Sequence, residues 1–100
     1  MIKAVRVHQV GGPEALVYEA VDVPPPGTGE VHIRQHAVGL NFIDVYYRTG
    51  LYKAPSLPFI AGNEAAGEVV AVGAGVTDFH PGDRVAYYSN LGGYATERNI

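Results

Sequence analysis

Short alternations of apolar and polar residues, interrupted by glycine and proline, run through most of the chain. Residues 2–9 alternate with a period of two, and residues 16–23 do so again after the break at Gly11-Gly12-Pro13-Glu14. A period of two puts successive side chains on opposite faces of a β-strand. Three consecutive prolines at 24–26 end the second run, because proline cannot donate to a strand ladder. The two runs are therefore predicted to form a hairpin.

Residues 30–40 allow two interpretations. A helix would place His32 and His36 one turn apart, a spacing that suits two ligands of one metal ion. A strand would place both histidines on one face with Arg34 between them. The β-branched residues favour the strand, and a permanent cation between the histidines disfavours a divalent metal. We therefore expect a strand whose histidine face is solvated.

Residues 41–49 are the one segment with a clear helical pattern. Asn41 is a favoured N-cap residue, and Asp44 lies three positions further on, where its carboxylate can accept from the N-cap backbone. Gly50 is a typical helix terminator. One stripe of this helix contains Phe42, Val45, Tyr46 and Thr49. Residues 51–60, which include two prolines, are expected to form an irregular loop.

Three more strands are predicted after this loop, at residues 64–73, at residues 84–88 and from Tyr94 onward. Turns rich in glycine separate them. About six strands, one clear helix and regularly spaced turns predict a mainly β protein, arranged as a partly closed β-barrel with one or two short helices. No closing turn or cap precedes the last residue, Ile100, so we expect the chain to be part of a longer protein.

The composition narrows the functional classes. The 100 residues include 10 acidic residues against 7 Lys and Arg, a net charge of −3. Such a chain lacks the positive charge that nucleic acids and anionic membranes attract, and no apolar stretch approaches the ~20 residues of a membrane span. Cysteine is absent, which removes disulfides and thiolate metal ligands. We expect a cytoplasmic protein that neither binds nucleic acid nor inserts into a membrane.

Candidate chemistry is concentrated in two segments. Residues 39–52 gather polar and aromatic side chains around the start of the predicted helix, where free backbone amides can bind a ligand; Asn41 and Asp44 could equally serve only to cap that helix. Glu64 lies among small apolar residues, so we expect a partly buried acid with a structural rather than a catalytic role. The chain has no nucleophile elbow and no glycine-rich phosphate loop, so the main binding fold for any dinucleotide would lie outside these residues.

Four motifs follow one another in an order that is typical of one superfamily. They are Gly11-Gly12-Pro13-Glu14-x-Leu16, Asn41-Phe42-Ile43-Asp44-x-Tyr46-x-Arg48-x-Gly50-x-Tyr52, Pro55-x-x-Pro58, and Gly62-x-Glu64-x-x-Gly67-x5-Gly73-x-x-Val76 followed by Gly82-Asp83-Arg84-Val85. The chain resembles the N-terminal, GroES-like domain of the medium-chain dehydrogenase/reductase superfamily, in its NADPH:quinone oxidoreductase (ζ-crystallin-like) branch. The resemblance covers essentially residues 1–100.

This resemblance implies a function for the whole protein. Hydride would pass from NADPH to a quinone, and a Rossmann domain outside residues 1–100 would hold most of the NADPH, so this domain alone would have little activity. Homodimers are usual in the family. The zinc alcohol dehydrogenases of the superfamily have a cysteine where Asn41 stands and a histidine where Asn63 stands, and both bind catalytic zinc. Asparagine amides are poor substitutes, so a zinc-free enzyme is implied.

The same resemblance implies the residues of the site. Those expected to bind the cofactor are Asn41, Phe42, Ile43, Asp44, Val45 and Tyr46. Tyr46 and Tyr52 are the expected catalytic residues, which offer flat surfaces to an aromatic acceptor, and Tyr46 is the candidate proton donor. Two alternatives stay open: a related zinc-free enone or enoyl-thioester reductase, and a non-catalytic GroES-like module that binds a protein partner.

Overall fold

Strands make up most of the regular structure in the computed structural model, which describes residues 1–100. The strands are β1 (Lys3–Val7), β2 (Leu16–Ala20), β3 (Val31–Val38), β4 (Phe59–Ile60), β5 (Glu64–Val72), β6 (Arg84–Tyr88) and β7 (Glu97–Asn99). One α-helix, α1 (Phe42–Thr49), follows β3, and a short 3-10 turn spans Pro13–Ala15. The prediction of a mainly β protein with short helical elements is confirmed. The single α-helix has eight residues, and no helical segment meets the length and hydropathy of a membrane span.

The strands form two antiparallel sheets. The first has the order β2-β1-β4, and the second has the order β6-β5-β3-β7. An isolated bridge between Ala4 and Ala95 joins them, and the Val5 N–H donates to the Tyr94 carbonyl across the same seam at 2.8 Å. The two sheets do not close into a barrel. At this seam, the segment before β7 lies against β1, although the two are far apart in the sequence.

The predicted hairpin is present, with shorter strands than the alternation indicated. β1 pairs with β2 from Lys3 opposite Ala20 to Val7 opposite Leu16. The ladder ends at Val7 because the chain leaves the sheet through bends and the 3-10 turn. The predicted loop at 51–60 also needs a correction, since its last two residues form β4 and pair with β1.

The strand interpretation of residues 30–40 is correct, and the helical alternative is wrong. The prediction that the histidine face is solvated is wrong for His32, whose side chain is only 12% exposed. β7 pairs with β3 and places Asn99 directly opposite His32. His36 is exposed, at a point where the ladder between β3 and β5 is irregular.

Two small apolar clusters form the core, one for each sheet. The first contains the buried residues Val7, Phe59 and Ala61. The second contains Val31, Ile33 and Val69. Gly67 of β5 allows the close packing of β3 on β5, because a Cβ there would lie 2.9 Å from the Arg34 carbonyl carbon. The glycine at this position of the sequence motif is therefore required by backbone approach.

The helix prediction is confirmed at both ends. Asn41 is the N-cap with extended backbone, and Gly50 ends the helix in the left-handed conformation with φ 88°. The helix buries its polar residue rather than its apolar stripe: Asp44 is 6% exposed, whereas Phe42 is 82% exposed. The apolar stripe thus faces away from the domain core.

Candidate active site at the start of the helix

A buried carboxylate, that of Asp44, lies at the centre of the site. Its Oδ1 accepts from the Asn63 side-chain amide at 3.0 Å. Its Oδ2 accepts from the Asn41 backbone N–H at 3.0 Å and from the Tyr94 hydroxyl at 2.5 Å. A buried carboxylate is costly unless hydrogen bonds replace its hydration, and these three donors do so.

Three separate parts of the chain supply the donors to Asp44. Asn41 ends the connection between β3 and α1, and Asn63 immediately precedes β5. Tyr94 lies in the segment between β6 and β7, where its backbone N–H donates to the Ala61 carbonyl at 2.8 Å. The network therefore depends on both sheets being correctly assembled.

The Tyr94 hydroxyl is held as a hydrogen-bond donor. Burial raises its pKa well above the ordinary value of a tyrosine, and the hydrogen bond to the Asp44 carboxylate and the charge of that carboxylate raise it further. The phenol thus stays protonated wherever the protein functions near neutral pH. Tyr94 was not among the residues that the sequence indicated.

Gly62 provides the space that Tyr94 occupies. Its φ is +93°, and a Cβ at this position would lie 2.8 Å from the Tyr94 backbone nitrogen and would overlap the Tyr94 ring. Only glycine can adopt this positive φ without strain and also leave room for the Tyr94 ring. The first glycine of the Gly62-x-Glu64 motif therefore supports the position of the phenol that binds Asp44.

A cavity of about 350 Å³ opens beside this network. Its lining is mainly apolar and includes Leu40, Asn41, Phe42, Asp44, Val45 and Tyr94. A volume of this size lies at the lower end of the range for small-molecule pockets. An apolar cavity with a few fixed polar groups suits a flat, largely apolar ligand that carries polar atoms at its edge.

The structure divides the residues predicted for the site into two groups. Asn41, Phe42, Asp44 and Val45 line the cavity, whereas Ile43, Tyr46 and Tyr52 do not. The rings of Tyr46 and Tyr52 contact each other edge to face, with centroids 5.3 Å apart. Tyr47 adds a second edge contact to Tyr52 at 5.8 Å. The tyrosines therefore form an aromatic cluster on α1 and the loop after it.

The expectation that Glu64 is partly buried is wrong. Glu64 is exposed at the first position of β5. Its side chain lies over Gly39, where a Cβ would overlap it. Because neighbouring residues of a strand point to opposite faces, Asn63 is buried and Glu64 is not. Small residues next to it in the sequence do not show on which face of the strand a side chain lies.

No group of three or more histidine, aspartate or glutamate side chains is arranged to hold a metal ion. The two asparagines that were singled out, Asn41 and Asn63, both bind Asp44. Asn41 does so through its backbone and Asn63 through its side-chain amide. The chemistry of this centre is that of amide and phenol donors around one carboxylate.

The mainly β fold is that of a known domain family. Residues 27–98 match the family described as "Alcohol dehydrogenase GroES-like domain". The chain belongs to this family.

The comparisons with individual proteins are more specific. The quinone oxidoreductase of Pseudomonas aeruginosa is 53% identical over 96 residues, which are 95% of this chain and 30% of that protein. The crystal structure of a quinone oxidoreductase from Pseudomonas syringae pv. tomato DC3000 matches with a TM-score of 0.96 and 50% identity, over 100% of this chain and 31% of that one. The Escherichia coli quinone oxidoreductase complexed with NADPH matches with a TM-score of 0.93 and 43% identity, over 98% and 30%. The chain thus spans about 30% of the length of these relatives.

Proposed function

We propose that this chain is the substrate-side domain of an NADPH-dependent quinone reductase that works without zinc. The observation that carries the proposal is the polar network of Asp44 beside an apolar cavity at the start of α1. The relatives named quinone oxidoreductases, one of them crystallised with NADPH, support it. The nucleotide-binding domain, the cytoplasmic location and a homodimeric assembly belong to the same proposal, on the family resemblance alone.

The residues that line the cavity would hold the nicotinamide end of the cofactor. Phe42 and Val45 offer apolar contact, and Asn41 offers an amide that both donates and accepts. When bound, NADPH supplies a hydride, and a quinone becomes a hydroquinone when it takes up that hydride and a proton. The apolar lining offers few partners for water beside the reacting rings, and much of the catalysis is expected to come from holding two flat rings in contact.

A group other than Tyr94 must supply the proton that the quinone takes up. Tyr94 donates its proton to a carboxylate and has a raised pKa, so it is a poor acid and acts by positioning Asp44. Tyr46 is more than a third exposed, so its hydroxyl can exchange protons with solvent. We assign proton delivery to Tyr46 or to water, and we assign Tyr46 and Tyr52 the contact with the quinone ring.

The donor atoms at the centre do not fit catalytic zinc. Zinc sites in proteins use thiolate, imidazole and carboxylate ligands. The Asn63 side-chain nitrogen is engaged as a donor to Asp44, and an amide offers a metal only its oxygen. A quinone is already electrophilic, so its reduction needs no Lewis acid of the kind that stabilises an alkoxide.

The test measures NADPH oxidation by the intact protein with a simple benzoquinone, together with the metal content of the protein purified without chelator. We expect turnover that survives treatment with a chelator and less than one-tenth of a zinc ion for each chain. Stoichiometric zinc whose removal abolishes turnover would overturn the zinc-free part of the proposal.

Two further acceptors separate the alternatives that the sequence left open. An enone and an enoyl thioester are compared with the benzoquinone at equal concentration. If the enone or the enoyl thioester is reduced with a higher kcat/KM than the benzoquinone, that compound's class replaces quinones as the proposed substrate. If none of the three is reduced by the intact protein with NADPH, the non-catalytic module becomes the better interpretation.

A further inference from the structure

His32 makes two hydrogen bonds that no part of the proposed reaction uses. Its Nδ1 is 2.8 Å from Oδ1 of Asn99, and its Nε2 is 2.7 Å from Oε1 of Glu97. Both partners lie on β7, whereas His32 lies on β3. The side chain is 12% exposed, and that of Glu97 is 27% exposed. The ring therefore lies beside two side chains of β7 on one face of the sheet, largely away from water.

The orientation of the Asn99 amide is determined by a third contact. The Asn99 Nδ2 donates to the Pro24 carbonyl at 2.8 Å. An amide turned the other way would place its oxygen against that carbonyl oxygen, which would repel it. The atom that faces His32 Nδ1 is therefore the Asn99 oxygen, which is an acceptor only.

Both ring nitrogens of His32 thus face acceptors. The Glu97 carboxylate has no proton to donate at neutral pH. A neutral imidazole carries one N–H, so one of its nitrogens would point a lone pair at an oxygen. Only the imidazolium satisfies both contacts, because it carries an N–H on each nitrogen. The hydrogen-bond geometry therefore favours a ring that carries both protons.

We propose that protonated His32 is a pH-sensitive latch, which fastens β7 and the segment at Pro24 to β3. The latch is complete while the ring carries both protons. Loss of either proton removes a charge-assisted hydrogen bond and leaves two acceptors facing each other. Histidine is the side chain whose charge changes within the physiological pH range, so the proposed latch is complete at lower pH and loosens as the pH rises.

The charges around the ring are consistent with this role. The charged residues on and beside the surrounding elements are Glu30 just before β3, Arg34 on β3, Glu64 and Glu68 on β5, Glu97 and Arg98 on β7, and Asp22 in the segment before Pro24. The Arg98 guanidinium donates to Tyr87 and Asn90 instead of approaching the ring. Arg34 lies 4.0 Å from Glu68, so its charge is directed toward β5. The residue of β5 opposite His32 is Ala71, which is uncharged. Glu97 is therefore the charged group in direct contact with the ring.

The latch acts on the part of the chain that carries the candidate site. Backbone bonds around the latch already pair Val31 with Ile100, at 2.8 and 2.9 Å. β7 follows directly on the segment of Tyr94, whose hydroxyl binds Asp44. Loosening β7 therefore reduces the support of Tyr94, which lines the cavity.

The test compares thermal unfolding midpoints of the intact protein between pH 6 and pH 8.5. We expect the wild-type midpoint to fall by about 2–4 °C more than that of His32→Gln, the shift that about 1 kcal/mol produces in a protein larger than this domain. The control variant His36→Gln, at an exposed position on the same strand, should keep the wild-type pH dependence of the midpoint. Equal pH dependence in the wild type and His32→Gln would overturn the proposal.

A second variant and a direct measurement cover the case in which His32→Gln does not fold. Glu97→Gln can donate as well as accept, so it can pair with a neutral ring and should flatten the pH dependence. Nitrogen-15 spectra of the histidine rings at pH 6 should show both His32 nitrogens protonated. A single protonated nitrogen at that pH in the folded protein would refute the latch. Neither readout depends on quinone reduction, so the latch and the proposed function can fail separately.

Discussion

Asp44 shows how one residue can serve the helix and the site together. As the third residue of α1, it accepts from the N-cap backbone, which stabilises the start of the helix. The same carboxylate binds Asn63 and Tyr94 from two other parts of the chain. The capping interpretation and the functional interpretation of Asp44 are therefore not exclusive. The cap fixes the carboxylate at the edge of the cavity.

Removal of the Tyr94 hydroxyl tests the strength of this network. Tyr94→Phe keeps the ring over Gly62 and leaves Asp44 one donor short. We expect a loss of about 1.5–3 kcal/mol in the free energy of unfolding, the usual range for a hydrogen bond to a charged group. Chemical denaturation measures it, with Tyr88→Phe as the control because Tyr88 is exposed. Equal stability of the two variants would contradict the structural role of the phenol.

The space at Gly62 can be separated from its backbone conformation. Gly62 and Gly75 both have positive φ, but a Cβ on Gly75 would meet nothing within 4 Å. Gly75→Ala should cost about 1–2 kcal/mol of unfolding free energy for the left-handed backbone alone. Gly62→Ala should cost about 1–3 kcal/mol more, because the methyl group displaces Tyr94. Similar losses in the two variants would show that overlap with Tyr94 is unimportant.

At the scale of the elements, the β1–β2 hairpin carries an ion cluster on its surface. Glu19 on β2 accepts from Arg6 at 2.7 Å and contacts His8 as well. The hydrogen bond from His8, and then that from Arg6, lower the pKa of the Glu19 carboxyl below its usual value. The cluster ties the end of β1 to β2 where the ladder finishes.

The lowered pKa of Glu19 predicts the direction of a pH effect. Its contribution to stability is present above the unfolded value of 4.5 and is lost as the pH falls through the lower folded value. We expect Glu19→Gln to lose less stability than the wild type between pH 6 and pH 3, as measured by denaturant midpoints. Asp78→Asn, at an exposed turn, is the control and should behave like the wild type. If Glu19→Gln lost as much stability as the wild type between pH 6 and pH 3, the prediction would be wrong.

The elements that sequence predicted well are those with local signals. The strands β1, β2, β3, β5 and β6 follow alternation and turn residues, and α1 follows its capping residues. β4 was missed because a two-residue strand is too short to show a period, and it exists only through its pairing with β1. The exposed position of Glu64 was missed for a similar reason, because composition does not tell which face of a strand is covered.

At the scale of the whole molecule, the apolar stripe of α1 and the aromatic cluster lie on the surface. Phe42 is largely exposed, and Tyr46 and Tyr52 are partly exposed. A second domain and a bound aromatic acceptor would both cover such a surface. This is the arrangement that the proposed quinone reductase requires, with the reaction at the boundary of the GroES-like domain.

The two tyrosines provide the test at this scale. In the intact protein, replacement of both Tyr46 and Tyr52 by alanine should raise the KM for the quinone about tenfold, since each aromatic contact contributes about 0.5–1.5 kcal/mol. Steady-state kinetics with varied quinone at saturating NADPH measure the change. Tyr88→Ala removes an exposed tyrosine elsewhere and should retain the wild-type KM. An unchanged KM and kcat in the double variant would remove both tyrosines from the site.

Sequence by itself determined the strands with clear alternation, both ends of the helix and the cluster of polar residues around Asn41 and Asp44. These features depend on neighbours a few positions apart, so their signals are local. Only the tertiary structure decided that Asn63 and Tyr94, 19 and 50 positions from Asp44, complete the network. It also decided that His32 binds two acceptors on β7. Such contacts arise from strand register and the joining of two sheets, and no local period encodes them.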